Sequence, residues 1–362
     1  MFSQAYRGAR VLVTGHTGFK GSWLARWLLE LGAEVAGFSL YVPTQPSHFE
    51  ILGLEKRLRH VTGDVRDAAA LARAFADWRP DFAFHLAAQP IVRDSYAQPK
   101  LTFDTNLGGT VNVLEAVRAT PSLRAAVLVT SDKCYENLEL QRGYAEDDRL
   151  GGADPYSASK ACAEIAISSY ARSLLLPEGR RVASTRAGNV IGGGDWAKDR
   201  IVPDCARAWS AGEGAIVRNP ASTRPWQHVL EPLSGYLWLG ACLAQGGAGL
   251  NGEPFNFGPP AGANHTVREL ADALARHWPG KTWAAQPAAD GRREAALLQL
   301  DCAKAAARLQ WRAALDFDQT AEMTAAWYRA YYSGNRDMDG VTGGQIARYA
   351  AIAGEKGLAW AK

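Results

Sequence analysis

The sequence predicts an α/β protein built on a doubly wound parallel sheet. Apolar, β-branched runs alternate with amphipathic helical stretches through the first half of the chain, which is typical of parallel strands covered by helices on both faces. A glycine-rich turn, GHTGFKG, directly follows the first of these runs. Ligands of such sheets bind beyond the carboxyl ends of the strands. The predicted strands are 9–15, 33–39, 58–64, 81–88, 125–131 and 181–190.

Helices between these strands are predicted from apolar residues at helical spacing. Two amphipathic stretches, 69–78 and 106–119, separate later strands. A third follows the glycine turn and ends at Gly32, a residue type that commonly terminates helices. Its apolar face consists of Trp23, Leu24, Trp27, Leu28 and Leu31.

The glycine turn has the residues that a dinucleotide-binding loop requires. Gly15 permits a tight turn, Gly18 lets the backbone approach a pyrophosphate, and Gly21 allows close packing of helix on strand. The helix N-terminus then faces the phosphates. Three closely spaced glycines are common in loops and are weak evidence by themselves. Here a predicted strand precedes the glycines and a predicted helix follows them, and this context makes the motif specific for dinucleotide binding. The sequence therefore predicts a Rossmann-type fold.

Beyond residue 190 the alternation of strands and helices stops. A helix from about Glu231 to Leu243 is followed by a lone strand at 254–258, which we expect to return to the main sheet, and by helices at 266–278 and 316–332. We predict a dinucleotide-binding domain over 1–190, with returning segments at about 228–258. A smaller substrate-binding region would comprise 191–227 and 259–362.

The composition excludes several classes of function. The 362 residues are 47% hydrophobic and 21% charged, with a net charge of +3, so we expect neither nucleic acid nor membrane as a partner. The N-terminal sequence has no apolar stretch of the signal-peptide kind. Five cysteines without paired spacing indicate no disulfide framework and no metal site. We expect a reduced, cytoplasmic protein.

A tyrosine and a lysine one helical turn apart begin a predicted helix in the segment DPYSASK. Asp154 is a suitable cap and Pro155 suits the first turn, while Tyr156 and Lys160 share a face. The pKa of a tyrosine phenol is about 10. For the phenolate to act as a base near pH 7, its environment must stabilise it by about 4 kcal/mol relative to the phenol. Lys160 and an oxidised nicotinamide ring can share that stabilisation.

The GxxGxxG spacing, the tyrosine–lysine pair and a strand ending in VTS resemble the extended short-chain dehydrogenase/reductase superfamily. The resemblance implies NAD as the cofactor and places Ser131 at the substrate hydroxyl. It implies cofactor contacts from Gly15, Thr17, Gly18, Phe19, Lys20, Gly21, Ser39, Asp64, Val65, Leu86, Ala87, Ala88, Gln89, Asn106, Tyr156 and Lys160.

The end of the second strand departs from this superfamily. An acidic residue usually holds the adenosine ribose there, whereas this chain has Ser39 in GFSL. We therefore expect NAD to bind more weakly than it would with an acidic residue at this position. The segment contains no arginine, so nothing in it favours NADP. Asp64, after the third strand, is a candidate for the adenine amino group.

Two charged residues after the serine extend the resemblance to sugar-nucleotide 4,6-dehydratases. Asp132 follows Ser131, and Lys133 stands where many dehydratases have glutamate. A lysine acts as a base only when burial or cationic neighbours lower its pKa. Longer segments resemble the CDP-glucose 4,6-dehydratase family from Arg10 to about Arg329, including GHTGFKGSWL, HLAAQPIVRDSY, TSDKCYEN, DPYSASKACAE, RAGNVIGGGDWAKDRIVPD, RPWQHVLEPLSGYL and LDCAKA.

This resemblance implies a three-step reaction on CDP-glucose. Tyr156 would take the proton of the 4-hydroxyl during oxidation at carbon 4, and Lys133 would remove the proton from carbon 5. Asp132 would protonate the departing 6-hydroxyl, and hydride would return to carbon 6. The product would be CDP-4-dehydro-6-deoxy-glucose, an intermediate of deoxysugar biosynthesis. The resemblance implies that the deoxysugars made from it are used in lipopolysaccharide O-antigen.

The substrate diphosphate calls for positive charge and hydrogen-bond donors. By resemblance the candidates are Asn189, Arg200 and Arg224, with Arg224 expected at the start of a helix facing the cleft. Arg224 could instead be a surface ion-pair partner. Arg93 would touch sugar or phosphate, and Arg293 would add a diphosphate contact or lie at the rim.

Two rival functions remain at this stage. A 4-epimerase, or a 4,6-dehydratase of another nucleotide sugar, would share most motifs, although an epimerase needs no acid and base beside Ser131. Lysine at position 133 also occurs in dehydratases of amino-sugar nucleotides. A non-catalytic NAD-sensing module would commonly lack Tyr156 or Lys160, and both are present. We expect a homodimer, alternatively a homotetramer, through helices around 92–118 and 155–175.

Overall fold

The computed structural model describes residues 1–260, 262–286 and 297–362. The strands in this part of the chain are β1 (Arg10–Thr14), β2 (Glu34–Ser39), β3 (Arg59–Thr62), β4 (Phe82–His85), β5 (Ala125–Val129), β6 (Val182–Arg186), β7 (Val190–Ile191), β8 (Ala215–Val217), β9 (Thr223–Arg224), β10 (Gln227–His228), β11 (Pro254–Asn256), β12 (His265–Thr266) and β13 (Trp283–Ala285).

Helices cover both faces of the sheet and continue past its last strand. The α-helices are α1 (Phe19–Glu30), α2 (His48–Ile51), α3 (Ala68–Trp78), α4 (Val92–Ala97), α5 (Pro99–Phe103), α6 (Gly109–Arg118), α7 (Pro155–Tyr170), α8 (Ile201–Ser210), α9 (Leu230–Ala244), α10 (Val267–Arg276), α11 (Ala303–Leu309), α12 (Phe317–Tyr332) and α13 (Met338–Glu355). Two π-helical segments, Asp104–Gly108 and Ala171–Leu175, adjoin α6 and α7. Short 3-10 turns are Phe2–Gln4, Leu54–Lys56, Asp132–Cys134 and Ala359–Ala361.

Seven parallel strands form the central sheet in the order β11-β6-β5-β4-β1-β2-β3. The predicted doubly wound parallel sheet is therefore confirmed, and β11 lies where the lone returning strand was expected. The chain leaves β1 towards β2 on one side and later returns to β4 on the other. This switch point opens a crevice at the carboxyl ends of β1 and β4, where ligands of such sheets bind.

The smaller structural elements after residue 190 form pairs of short strands and a layer of helices. β7 pairs with β10, β8 with β13 and β9 with β12. Helix α12 packs against α8 and α10. The division into a cofactor domain and a substrate region stays a prediction, because residues on both sides of position 190 share one large apolar core.

Helix α13 was not predicted from the sequence. Its stretch MDGVTGGQIARYAAIAGE is rich in glycine, which lowers helix propensity. The helix forms because it packs against α1, where the ring centroids of Trp27 and Tyr349 lie 5.9 Å apart. Arg26 Nε also donates to Asp339 at 2.7 Å. The C-terminal Trp360 stacks on Phe2 at 5.3 Å, so the chain ends pack together.

In the part of the chain that the structure describes, no helix combines the length and apolar character that crossing a bilayer requires. All five cysteines are free thiols.

Candidate active site

The glycine turn forms a tight cradle between β1 and α1. Gly15 has φ +76°, and a Cβ there would lie 2.7 Å from the backbone nitrogen of Ala87. A Cβ at Gly21 would lie 2.1 Å from the carbonyl oxygen of Gly15. Gly18 occupies the N-cap of α1, so unpaired N–H groups of the helix face the crevice. The cradle has the shape and polarity that a dinucleotide pyrophosphate requires.

A chain of hydrogen bonds through two histidines lies at the end of β2. Ser39 Oγ lies 2.9 Å from His16 Nδ1, and His16 Nε2 lies 2.7 Å from His60 Nδ1. Burial, with His60 nearby, lowers the pKa of His16 to about 3, so the imidazole is neutral. Thr17 Oγ1 donates to the Tyr41 carbonyl at 2.7 Å. Ser39 is thus buried among neutral partners at the position where an acid would hold the ribose.

Asp64 and Val65 lie directly after β3, as the sequence suggested. The Asp64 carboxylate accepts from Arg66 Nε at 2.9 Å and from the Arg66 backbone nitrogen at 2.9 Å. These contacts lower the pKa of Asp64. The Val65 carbonyl accepts from Asn112 Nδ2 at 2.9 Å. Contacts of both residues with adenine stay predictions.

Asn106 braces the loop that follows β4. Its Oδ1 accepts from the Gln89 nitrogen at 2.8 Å, and its Nδ2 donates to the Gln89 carbonyl at 3.1 Å and to Ser159 Oγ at 2.9 Å. The loop therefore joins α7, with Ala87 held against Gly15. Leu86 and Ala88 are the remaining loop residues named for the cofactor.

Ser131 and Asp132 follow β5 and are buried together. Ser131 Oγ donates to Asp132 Oδ1 at 3.0 Å and accepts from the Lys133 nitrogen at 3.2 Å. Burial raises the pKa of Asp132, against the opposing effect of Lys133. A Cβ at Gly188 would lie 2.0 Å from Asp132 Oδ2. Gly188, which sequence reasoning missed, therefore makes room for this carboxyl group.

Helix α7 begins as predicted and carries the tyrosine and lysine inward. Asp154 Oδ1 accepts from the Ser157 nitrogen at 2.9 Å, and Pro155 is the first helical residue. Tyr156 and Lys160 are both buried. Burial raises the pKa of Tyr156 to about 12, whereas the Ser131 hydroxyl acts to lower it. Burial lowers the pKa of Lys160 to about 8, and its Nζ donates to the Val129 carbonyl at 3.4 Å.

Lys20 connects the glycine turn with the residues after β5. Burial and then the charge of Arg200 lower the pKa of Lys20 to about 8, while Asp132 acts in the opposite direction. Lys160 also lowers this pKa. Lys20 therefore faces the catalytic residues as well as the start of α1. Phe19 is its neighbour at the first position of α1.

The predicted substrate residues lie on loops and short strands after β6. Arg200 Nη1 donates to Asp195 Oδ2 at 2.7 Å, and the charge of Arg200 lowers the pKa of Tyr156, which places it beside the catalytic residues. Asn189 has a positive φ of 26°, and its carbonyl accepts from the Gln227 nitrogen at 3.2 Å.

Arg224 differs from its expected setting. It lies in β9 rather than at the start of a helix, and α9 begins only at Leu230. The correction follows from backbone pairing, because β9 forms an antiparallel ladder with β12 that the local sequence does not reveal. Arg224 is buried, and its Nη1 donates to the Thr223 carbonyl at 2.7 Å, so it does not lie exposed on the surface.

One aspartate forms ion pairs with two arginines, one of them a predicted substrate residue. Asp199 Oδ1 lies 3.3 Å from Arg93 Nη1 and 2.9 Å from Arg218 Nη1. Arg218, at the end of β8, was not singled out from the sequence. Its only sequence signal is an arginine after a short apolar run. Arg293 lies outside the described residues.

A glycine cradle at the sheet's switch point and a buried tyrosine–lysine pair beside it define an extended short-chain dehydrogenase/reductase. The profile of the family described as GDP-mannose 4,6 dehydratase matches residues 12–324. The chain is also 45% identical over 334 residues to the CDP-glucose 4,6-dehydratase of Salmonella typhimurium, covering 91% of this chain and 93% of that protein. The chain therefore belongs to this family of nucleotide-sugar dehydratases.

More distant relatives and solved structures agree in fold. A dTDP-glucose 4,6-dehydratase of Streptomyces antibioticus is 31% identical over 333 residues, covering 88% of this chain and 92% of the relative. The structure of a dTDP-glucose 4,6-dehydratase from Streptomyces venezuelae with NAD and TYD bound superimposes with a TM-score of 0.74 at 27% identity, covering 90% and 98% of the two chains. A UDP-glucose 4-epimerase from Thermotoga maritima gives a TM-score of 0.77 at 23% identity, covering 89% and 99%.

Proposed function

We propose that this chain is a 4,6-dehydratase that converts CDP-D-glucose to CDP-4-dehydro-6-deoxy-D-glucose on bound NAD. The main observation in support is the buried carboxyl group of Asp132. It is hydrogen-bonded to Ser131 beside Tyr156, and burial raises its pKa. An alcohol oxidation alone needs no such acid. The 45% identity to the Salmonella CDP-glucose 4,6-dehydratase over most of both chains supports the substrate.

The residues that would hold NAD surround the switch-point crevice. Gly15 and Gly21 allow the tight backbone packing of the turn, since side chains at these positions would collide with the backbone, and Gly18 at the N-cap of α1 would lie at the pyrophosphate. When bound, NAD would supply a hydride acceptor for carbon 4 and a hydride donor for carbon 6, so that the overall reaction has no net redox change. Lys160 is the candidate for the nicotinamide ribose. The neutral Ser39 contact predicts looser binding of the adenosine ribose than a carboxylate would provide.

Tyr156 acts as the base for the 4-hydroxyl of the sugar. Its phenol has a pKa of about 12 in the protein alone, so it needs nearby positive charge to ionise near neutral pH. Lys160, and the positively charged nicotinamide ring of the cofactor, are suited to supply that charge. Ser131 holds the same hydroxyl by a hydrogen bond.

Asp132 and Lys133 carry the elimination of water. A carboxyl group whose pKa is raised by burial keeps its proton nearer to neutral pH, and Asp132 delivers that proton to the departing 6-hydroxyl. Lys133 takes the proton from carbon 5, which the ketone at carbon 4 has made acidic. This division of roles uses two neighbouring residues for two opposite proton transfers.

Positive side chains on the substrate side bind the diphosphate. Arg200 and Arg224 contact it together with Asn189, and Arg93 contacts sugar or phosphate. Two carboxylates would hold these guanidinium groups at the crevice. Asp195 pairs with Arg200, and Asp199 pairs with Arg93. Arg293 stays a candidate for the same ligand.

We also propose a homodimer, alternatively a homotetramer, formed by α4 to α6 and α7. Tyr96 and Ile165 are large apolar side chains that are 52% and 57% exposed on these helices, and a partner would cover them. The protein would act in the cytoplasm, where its free thiols stay reduced. Its product would serve deoxysugar synthesis for lipopolysaccharide O-antigen.

Side-by-side turnover of CDP-, dTDP-, UDP- and GDP-glucose tests this function. We expect absorbance of a 4-keto-6-deoxy sugar in base with CDP-glucose, dependent on NAD. Replacing Tyr156→Phe should lower kcat by at least about 10³-fold, in the range of lost acid–base catalysis, while NAD affinity measured by fluorescence titration stays unchanged. A galactose product without the keto absorbance, or normal turnover by the Tyr156→Phe variant, would refute the proposal.

A further inference from the structure

A buried ion pair lies beneath the catalytic helix and has no part in the chemistry described above. Glu164 Oε2 and Arg186 Nη2 are 2.8 Å apart, and both side chains are only 3% exposed. Taking two charges out of water is costly, and an ion pair in such a place is weak evidence for added stability. Its location therefore calls for another explanation.

Glu164 is held by donors from two strands. Arg186 and Ser184 of β6 donate to its Oε2, each at 2.8 Å, and Thr130, directly after β5, donates to Oε1. These partners lower the pKa of Glu164 despite its burial. Glu164 is therefore a fixed negative charge that joins α7 to the ends of β5 and β6.

Arg186 is immobilised on its other side. Its Nη1 donates to Tyr135 Oη at 2.7 Å and to the Glu146 carbonyl at 3.1 Å. Its guanidinium carbon also lies 4.8 Å from the centre of the Tyr135 ring. Tyr135 directly follows the turn Asp132–Cys134, so the ion pair connects the catalytic helix with the turn that contains the acid and the lysine.

Lys160 precedes Glu164 by one helical turn, so the two side chains share a face of α7. Burial disfavours the Lys160 ammonium, and Glu164 is the leading charge that favours it, followed by Cys134. The other titratable groups facing Lys160 are Lys20 from α1 and the neutral His85 from β4. Neither of these can stabilise an ammonium.

We infer that Glu164, clamped by Arg186, is a positioning residue that keeps Lys160 protonated at the catalytic tyrosine. The inference rests on the proposed function, in which Lys160 assists Tyr156. Arg186 prevents the carboxylate from taking up a proton or turning towards Lys160. The carboxylate thus acts at a distance of one turn without removing the ammonium from Tyr156 and the cofactor.

The test is the pH profile of kcat/KM for CDP-glucose at saturating NAD. A Glu164→Gln/Arg186→Gln double variant removes both charges and avoids an unpaired buried ion. Because the Glu164 charge raises the pKa of Lys160, its loss should move the alkaline limb to lower pH by about one unit, a tenfold lower rate on that limb. A normalised profile that superimposes on that of the parent protein would overturn the inference.

Two further variants keep the result interpretable. Glu164→Asp retains the charge but withdraws it by one methylene, and we expect a smaller shift in the same direction. This variant decides the matter if the double variant does not fold, and an unmoved limb would overturn the inference. Ser184→Ala removes one hydrogen bond and keeps the charge, so its alkaline limb should stay in place. If Ser184→Ala shifted the alkaline limb as far as the double variant does, packing and not the Glu164 charge would determine the pH of that limb.

A Lys160→Met variant separates this inference from the proposed function. We expect it to lose turnover and bind NAD more weakly. If Lys160→Met retains full activity, the proposed role of Lys160 is wrong. If it is inactive while the Glu164 variants keep the parent profile, only the role of Glu164 is wrong.

Discussion

The cofactor side and the substrate side of the crevice are built by different means. On the cofactor side, glycines bring backbone within contact distance, and neutral side chains such as Ser39 and His16 complete the hydrogen bonding. On the substrate side, guanidinium groups are paired with carboxylates, as in Arg200 with Asp195. The cofactor side therefore relies on a closely packed backbone cradle. The proposed substrate side relies on side-chain charges.

Acid should lower the stability of the whole protein, and this is the largest effect that we expect. Burial lowers the pKa of four histidines, His16, His48, His85 and His228, to about 3. The unfolded chain binds their protons below about pH 6.5, so stability is present above that pH and is lost as the pH falls.

Glu231 opposes this loss. Burial raises its pKa to about 7, so between pH 7 and about 4.5 the folded state holds one proton more than the unfolded state does. Burial also raises the pKa of Asp132, Glu146 and Asp204, which therefore act in the same direction as Glu231. With four histidines against these carboxyl groups, the free energy of unfolding should fall by at most about 4 kcal/mol per pH unit between pH 6 and 5. Urea denaturation at each pH measures it. His16→Asn should reduce the slope by about 1.4 kcal/mol per unit, and an unchanged slope would contradict a neutral His16.

A methyl group in the glycine cradle should damage the cofactor side at constant pH. Gly21→Ala places a Cβ 2.1 Å from the Gly15 carbonyl oxygen, and such overpacking costs about 3 kcal/mol. We expect NAD binding to be lost in calorimetric titration. The matched control is Gly344→Ala in α13, where a Cβ meets nothing within 4 Å. That change should stabilise the helix by about 0.5–1 kcal/mol, and equal effects of the two changes would contradict the cradle.

Removing one carboxylate from the substrate side should have the smallest effect. Asp199→Asn takes away the charge that Arg93 and Arg218 share. Because more positive charge then acts on the diphosphate, KM for CDP-glucose should fall about threefold at low salt, in line with the modest energies of exposed ion pairs. The difference should shrink at high salt. Asp339→Asn, which breaks the pairs with Arg26 and Arg57 on another face, should leave KM unchanged, and the same fall there would exclude a local effect.

Local patterns predicted most of the fold for identifiable reasons. Strands β1, β4 and β5 are short and mostly apolar runs, and α1 and α3 have their apolar residues on one face, so the hydrophobic period distinguishes them. Helix α13 was missed because its glycines suppress the propensity signal, while its packing on α1 compensates. Arg224 was assigned to a helix start because the pairing of β9 with β12 joins residues about forty positions apart.

The catalytic residues were identifiable because their spacing is itself chemical. A four-residue interval places Tyr156 and Lys160 on one helical face whatever the rest of the chain does. The residues that support them were not identifiable in this way. Glu164, Gly188 and Arg218 act through partners distant in sequence, such as Arg186, and only burial and distance reveal them.

The sequence by itself determined the alternation of strands and helices up to about residue 190, the glycine turn and the tyrosine–lysine pair, because each follows from contacts among residues a few positions apart. The tertiary structure alone decided which carboxyl group becomes buried beside Tyr156, which arginines share an aspartate, and which charge faces Lys160 from below. These features depend on desolvation and on distances between separate elements, and neither quantity exists until the chain has folded.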